Sequence, residues 1–341
     1  MTRGLNSNAI AAGMVLRQRG VSLIELMVAL VIGLVLIGGA VYVYNQSRNN
    51  YTTNDIVARL QETGRFAMSV IEPDIRMSNY WGLVKGASVI TGQAPQTAGS
   101  AGAPTACGNN FAYDLNSSIE GNNNQYGIGC GAQGGGAVAS SDTLTIRRVS
   151  TVASAATESN RLTVCSTRMM GRLLNDNTAC TAAPNGQVNP LVVNAYYVAR
   201  QSAQDTTVPA LRRWRLPTAA EAAALAFIGE EVISGIEDMQ VQLGVDPTGA
   251  RGTATQYVNP NAVPADSQIV SVRIWLLVRA DRPETGFVDG QTYQYGDRAL
   301  ANGVTANLNA VGAATQAYRP NDGFHRILMS RTIQIRNALG T

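Results

Sequence analysis

Between Arg17 and Gly39 the chain reads RQRGVSLIELMVALVIGLVLIGG, an apolar run interrupted by one carboxylate, Glu25. A charged side chain at bilayer depth costs roughly 2.5–3.5 kcal/mol even on lenient insertion scales, so an acid retained there points to a use. No further charge occurs until Arg48, and Leu26 to Tyr44 is a stretch of 19 uncharged residues, long enough to span a bilayer as a helix. Arg17 and Arg19 stand directly before the run, which by the positive-inside bias leaves the leader in the cytoplasm and sends the body outside.

Elsewhere the residue types that carry chemistry are sparse. His325 is the one histidine, and neither H-E-x-x-H nor G-x-S-x-G occurs, so the usual bases for a Ser or Cys nucleophile are missing and no enzyme activity is expected. The acid pairs Glu230-Glu231 and Glu237-Asp238 read as solvated faces, and His325 as a surface or sheet-edge residue. The Asp-containing stretches 281–290 and 175–180 offer oxygen ligands but lack EF-hand spacing. Gly129 to Gly134 matches G-x-G-x-x-G with no strand before it and no helix after it, which argues against a dinucleotide site. Cys107, Cys130, Cys165 and Cys180 include no C-x-x-C pair, and a Cys/His zinc site is not expected beside one histidine. In an exported chain four cysteines read as two disulfides; of three connectivities, Cys107–Cys130 and Cys165–Cys180 close the shortest loops. No metal and no cofactor are expected.

The formal charge of +3 rests on the leader. Arg3, Arg17 and Arg19 lie in its first 20 residues, which hold no acid, so the remaining 26 − 3 = 23 basic residues balance 23 acidic ones. A neutral body gives no electrostatic ground for a nucleic-acid partner.

Helical spacing continues beyond the apolar run. Ile56, Leu60, Thr63, Ala67, Val70 and Ile71 recur at steps of three and four, predicting a helix from Ser22 to about Ser78. Pro73 is expected to kink or end it. Gly33, Gly38 and Gly39 mark either points where the helix bends or places where helices pack closely. Residues 86–141 are rich in Gln, Asn, Gly and Ser and read as long loops. Strands are predicted at 143–149, 161–165, 192–200, 211–215, 239–245, 269–280 and 327–337, with Val270, Val272, Ile274, Leu276 and Val278 on one face. Thr218 and Glu221 have capping-box spacing and predict a short helix over 218–228. Strands without long intervening helices argue for antiparallel pairing, with the sheet covering the apolar stripe of the long helix.

Two readings of the N-terminus follow. Gly38-Gly39-Ala40 loosely fits a small-x-small cleavage site, which would make the chain a secreted binding protein with a cleaved signal. Against that, Glu25 breaks the run near its start, and the run continues through Tyr44. The second reading comes from Arg19, Gly20, Val21, Ser22, Leu23, Ile24 and Glu25, which in this order resemble the processing motif of the type IV prepilin family. The resemblance implies that prepilin peptidase cuts between Gly20 and Val21 and that the new N-terminus, Val21, is N-methylated; Val21 is a mild departure from the more usual Phe or Met. Cleavage would leave a cationic amine on Val21, four residues from Glu25 and on the same helix face. Glu25 could then neutralise its own amine or that of a neighbouring helix, setting register in a filament; a charge buried without its partner is strongly penalised.

Within that class, RFAMSVIEPDIRMSNYWG (65–82), EEVISGIEDMQVQLGVD (230–246), IVSVRIWLLVRAD (269–281) and RTIQIRN (331–337) resemble the PilW family of minor pilins, and more distantly the GspJ type of type II secretion pseudopilins. The resemblance implies an α+β, type IV pilin-like fold: a long N-terminal helix, transmembrane in its first half, packed on an antiparallel sheet with long loops. The expected organisation is a removed leader (1–20), a transmembrane or filament-core helix (21–44), its extracytoplasmic continuation (45–80) and a β-rich body (81–341), loop-rich to 141. It further implies a minor pilin that helps prime pilus assembly and sits near the tip, held in the bacterial inner membrane with its body periplasmic before entering the extracellular pilus. The implied partners are other minor pilins, the major pilin and a PilY-type tip adhesin. A GspJ-like pseudopilin is the alternative within the class.

Overall fold

The computed structural model describes residues 20–95, 107–108, 110–157, 160–174, 180, 186–221, 224–249, 251–310 and 312–338. The leader with Arg17 and Arg19, and most of the 175–180 stretch, lie outside the described residues. The chain divides into two units, Met1–Asp55 and Ile56–Thr341. One helix, α1 (Leu23–Met77), begins in the first unit and ends in the second.

In the first unit α1 presents its side chains outward. Leu23, Ile24, Leu26, Met27, Val28 and the aliphatic residues up to Val43 are exposed, and the helix runs through Gly33, Gly38 and Gly39 without interruption. An apolar helix bare on every side is suited to lipid or to other helices, not to water.

In the second unit the last turns of α1 bury Leu60, Ala67, Met68, Ile71 and Ile75, one stripe at helical spacing. Gly64 lies in the same stripe, where an added Cβ would run into the Met329 thioether and sit 3.1 Å from Val278. Pro73, expected to kink or end the helix, does not end it. It removes one N–H only four residues from Met77, and the burial of Asp74 and Ile75 holds the final turn in place. The stop is Asn79, whose φ of 59° leaves the helical region. Its amide donates to the Asn337 carbonyl at 2.9 Å, and Trp81 Nε1 donates to Asn79 Oδ1 at 2.8 Å.

Fourteen strands are present among the described residues: β1 (Ile90–Thr91), β2 (Ile119–Asn122), β3 (Thr143–Val149), β4 (Thr163–Ser166), β5 (Gly171–Leu174), β6 (Gln187–Ala199), β7 (Ala210–Arg215), β8 (Ile228–Ser234), β9 (Ile236–Asp246), β10 (Gln256–Val258), β11 (Gln268–Arg279), β12 (Ala299–Thr305), β13 (Gln316–Tyr318) and β14 (Arg326–Gln334). They form an eight-stranded sheet in the order β1-β5-β4-β6-β3-β2, with β7 joined to β6 and β8 to β7. A four-stranded sheet follows the order β10-β9-β11-β14, and β12 pairs with β13. Pairing is mainly antiparallel, but β1 with β5 and β12 with β13 are parallel, so the sheets are mixed where all-antiparallel pairing was expected. Residues 86–141 also hold β1 and β2, which their polar composition hid.

Strand β6 is the divider. Tyr196 and Val198 face one apolar cluster with α1, β9, β11 and β14; Val193, Ala195, Tyr197 and Ala199 face a second with Trp81, Leu115 and the Cys107–Cys130 disulfide. A strand buried on both faces reads as a near-continuous apolar run, which is what VVNAYYVA is. The expected helix over 218–228 is, among the described residues, one 3-10 turn, Ala219–Glu221. The capping-box bonds still form, with Glu221 Oε2 accepting from Thr218 N at 3.0 Å and from Thr218 Oγ1 at 2.7 Å. Arg215 also holds the Glu221 carboxylate through both terminal nitrogens at 2.7 Å, and Phe227 is buried in the second cluster, so the chain is drawn into β8.

Candidate assembly site

Helix α1 starts on a serine cap. The Ser22 hydroxyl accepts the Glu25 backbone N–H at 3.2 Å, and the Ser22 carbonyl accepts from Leu26 N at 3.1 Å. Ser22 therefore satisfies one of the donors left open at a helix start. Glu25 occupies the third helical position, where a carboxylate interacts favourably with the helix dipole. Among the described residues nothing pairs with its side chain. Gly20 and Val21 precede the cap and are exposed. This corrects the expectation that Val21 and Glu25 share a helix face. Val21 lies before the helix, in which Glu25 is the third residue.

The fold makes no demand for glycine at position 20. An added Cβ would meet nothing within 4 Å, and the backbone there is not left-handed. A reason for Gly20 must lie outside the folded chain.

At the other end of α1 one buried acid gathers four donors. Asp74 accepts from Arg148 Nη2 at 2.7 Å and Nε at 3.2 Å, from Asn194 Nδ2 at 2.5 Å and from Tyr196 OH at 2.6 Å. Arg148 lies on β3, and Asn194 and Tyr196 on β6, so this carboxylate fastens the helix to the eight-stranded sheet. Burial, and then the adjacent Asp74 charge, push the Tyr196 hydroxyl well above its ordinary pKa, so it stays a donor. Glu72 pairs with Arg76 on its own helix and with Arg331 on β14, a tie to the second sheet.

Deeper ion pairs hold the loops. Arg298 Nε donates to Asp238 Oδ2 at 2.7 Å with both side chains fully buried, and Tyr295 OH donates to the same oxygen at 2.6 Å. Arg326 donates to Glu237 and Asp322. Glu237 and Asp238 are therefore buried partners, not the solvated face that sequence suggested; Glu230 and Glu231 are likewise paired, with Arg213, Arg215 and Arg212. His325 directly precedes β14 at the edge of the four-stranded sheet, in keeping with the sheet-edge expectation, and is half-buried, stacked on Phe287 at 3.7 Å and meeting Glu284. Asp289, in the 281–290 stretch, is occupied by Tyr293 and Arg326, and no cluster of three His, Cys, Asp or Glu suited to a metal occurs among the described residues. Sequence reasoning missed Asp74, Arg298 and Arg326; Asp74 and Arg326 are charges inside or beside an otherwise apolar helix or strand pattern, and Arg298 carried no such signal.

Cys107 is bonded to Cys130 and Cys165 to Cys180, with sequence separations of 23 and 15. Gly129, in the G-x-G-x-x-G stretch, lies against the Cys107 carbonyl, where a Cβ would collide, so this glycine serves packing around the bond. Closing a loop of this length removes about 3 kcal/mol of unfolded-chain entropy. The Cys107→Ser/Cys130→Ser variant should therefore lose about 3 kcal/mol in urea unfolding; an unchanged midpoint would show that the second cluster holds without the bond.

Residues 195–337 match the family model described as Type IV Pilus-assembly protein W, and residues 15–41 match the Prokaryotic N-terminal methylation motif. No curated protein matches the chain. Among solved structures it is similar to the type IV-like pilin TTHA1219 from Thermus thermophilus, with 15% identity and a TM-score of 0.33, covering 82% of this chain and 98% of that one.

Proposed function

We propose that the chain is a minor pilin of a type IV pilus. It is held in the bacterial inner membrane by residues 21–44 with its body in the periplasm, and is then moved into the fibre. Prepilin peptidase removes the leader between Gly20 and Val21 and methylates Val21. In the fibre the protein works with other minor pilins to prime assembly near the tip, in contact with the major pilin and a PilY-type adhesin. One observation carries this reading: the bare apolar stretch of the helix has a single acid, Glu25, four residues after Val21 in the chain and within the segment that matches the methylation motif. The match over 195–337 supports the pilus over a type II secretion filament.

The mature N-terminus tests it. Mass spectrometry of the chain purified from membranes should give a first residue of N-methylated Val21. A start near Val41 would instead identify a cut signal and a secreted body, and would end the pilin reading.

A further inference from the structure

Where the turn after β2 meets the segment before β12, acceptors without donors gather around one carboxylate. Asp297 Oδ2 accepts from the Asn123 and Asn124 amides at 3.0 and 2.6 Å, and from the Asn259 amide at 3.3 Å. Three other oxygens, Asp297 Oδ1, Asn123 Oδ1 and Asn124 Oδ1, are shut off from solvent and take no hydrogen bond among the described residues. An amide carries its oxygen and nitrogen on one carbon, so each of these oxygens lies within one side-chain width of the Asp297 carboxylate. Buried acceptors left without a donor are costly and uncommon, and three at one place call for a ligand that accepts oxygen lone pairs.

The charge at this place is also unbalanced. Asp142 is 1% exposed and takes backbone N–H groups from Asn124 and Val241, each at 2.7 Å. Neither Asp142 nor Asp297 forms an ion pair among the described residues, because the neighbouring Arg298 guanidinium is turned to Asp238. Asp238, fully buried, itself leaves Oδ1 without a donor.

We propose that the Asn123-Asn124 turn and Asp297 bind one calcium ion, with Asp142 holding the turn from behind through the Asn124 N–H. The donor set is oxygen only, which excludes the softer metals that want Cys or His and suits a hard cation. Carboxylate and amide oxygens on a half-buried turn match calcium, which tolerates irregular ligation and completes its shell with water, better than magnesium, which demands a near-ideal octahedron. Asn124 has a φ of 54°, a left-handed position that Asn occupies readily, and this aims two successive side chains at Asp297. The ion would clamp the β2 turn of the eight-stranded sheet to the segment that also carries Arg298.

The test uses the full chain, purified in detergent and stripped with EGTA. Millimolar calcium chloride should raise the unfolding midpoint by about 2–4 °C, as expected for a site with a dissociation constant of about 10⁻⁴–10⁻³ M, and magnesium chloride should not. Titration calorimetry should count one site, weakened at least tenfold in Asp297→Asn. No shift in calcium, an equal shift in magnesium, or full affinity in Asp297→Asn each overturns the proposal. The wild-type titration decides even where the variant does not fold.

Discussion

Glu25→Gln should be processed normally, remain in the membrane and be nearly absent from sheared fibres. The substitution keeps size and shape and removes one negative charge. It leaves the Ser22 cap intact, because that bond uses the Glu25 backbone N–H and not its side chain. Insertion into lipid is if anything easier without the carboxylate. On the proposed function, what is lost is the partner for the Val21 amine. An amine left unpaired in an apolar filament core costs about 3–5 kcal/mol, which corresponds to a hundredfold or greater fall in incorporation. The readout is the ratio of the chain in the sheared fibre fraction to that in the membrane fraction, with the mature N-terminus measured in both. Equal ratios for variant and parent would remove Glu25 from assembly while leaving cleavage at Gly20 untouched. A chain that retains its leader would instead show that Glu25 is read by the peptidase.

How far the sequence led depends on the range of the physics. The N-terminal device is local: Gly20, Val21, Ser22 and Glu25 are neighbours, and the apolar run has one composition throughout. Strands such as β3 and β11 were legible because their alternation or apolar density is local too. Acids at Glu237 and Asp238 were misread because adjacent strand residues normally face opposite sides. In β9 the register slips between Asp238 and Ile236 opposite Leu277 and Val278, so Glu237 is an extra, bulged residue whose side chain is re-aimed. Their partners stand 60 and 89 residues away, Arg298 inside a stretch with no regular pattern and Arg326 just after it. The short strands β1, β5 and β13 have too few residues to show a period, and β12, ALANGVT, is mostly small or polar and exposed. Helix 218–228 failed for a related reason: a correct capping signal was overruled by Arg215 and by the burial of Phe227.

Asp238→Ala should be the most destabilising single change in the body. It strands the Arg298 guanidinium, whose side chain is fully buried, among neutral acceptors: the Ser140, Ala313 and Ala314 carbonyls and the Ser140 hydroxyl. In the parent, burial would lower the Arg298 pKa and the Asp238 charge leads the interactions that more than offset it; without Asp238 the guanidinium still stays charged, because arginine is not deprotonated in proteins. Breaking a buried pair from one side costs about 3–5 kcal/mol, a large part of the 5–15 kcal/mol by which ordinary domains are stable. Removing both charges with apolar residues of similar volume, as in Asp238→Leu/Arg298→Met, is often neutral or better, since the desolvation of both ions is then avoided. Trp81, Trp214 and Trp275 all lie in the body, so urea unfolding of the full chain in detergent can be followed by their fluorescence. A single variant that unfolds at much lower urea than the double variant identifies the stranded charge as the cause. Equal losses in the two would show instead that Tyr295, Ser140 and the loop around Arg298 depend on the bonds themselves.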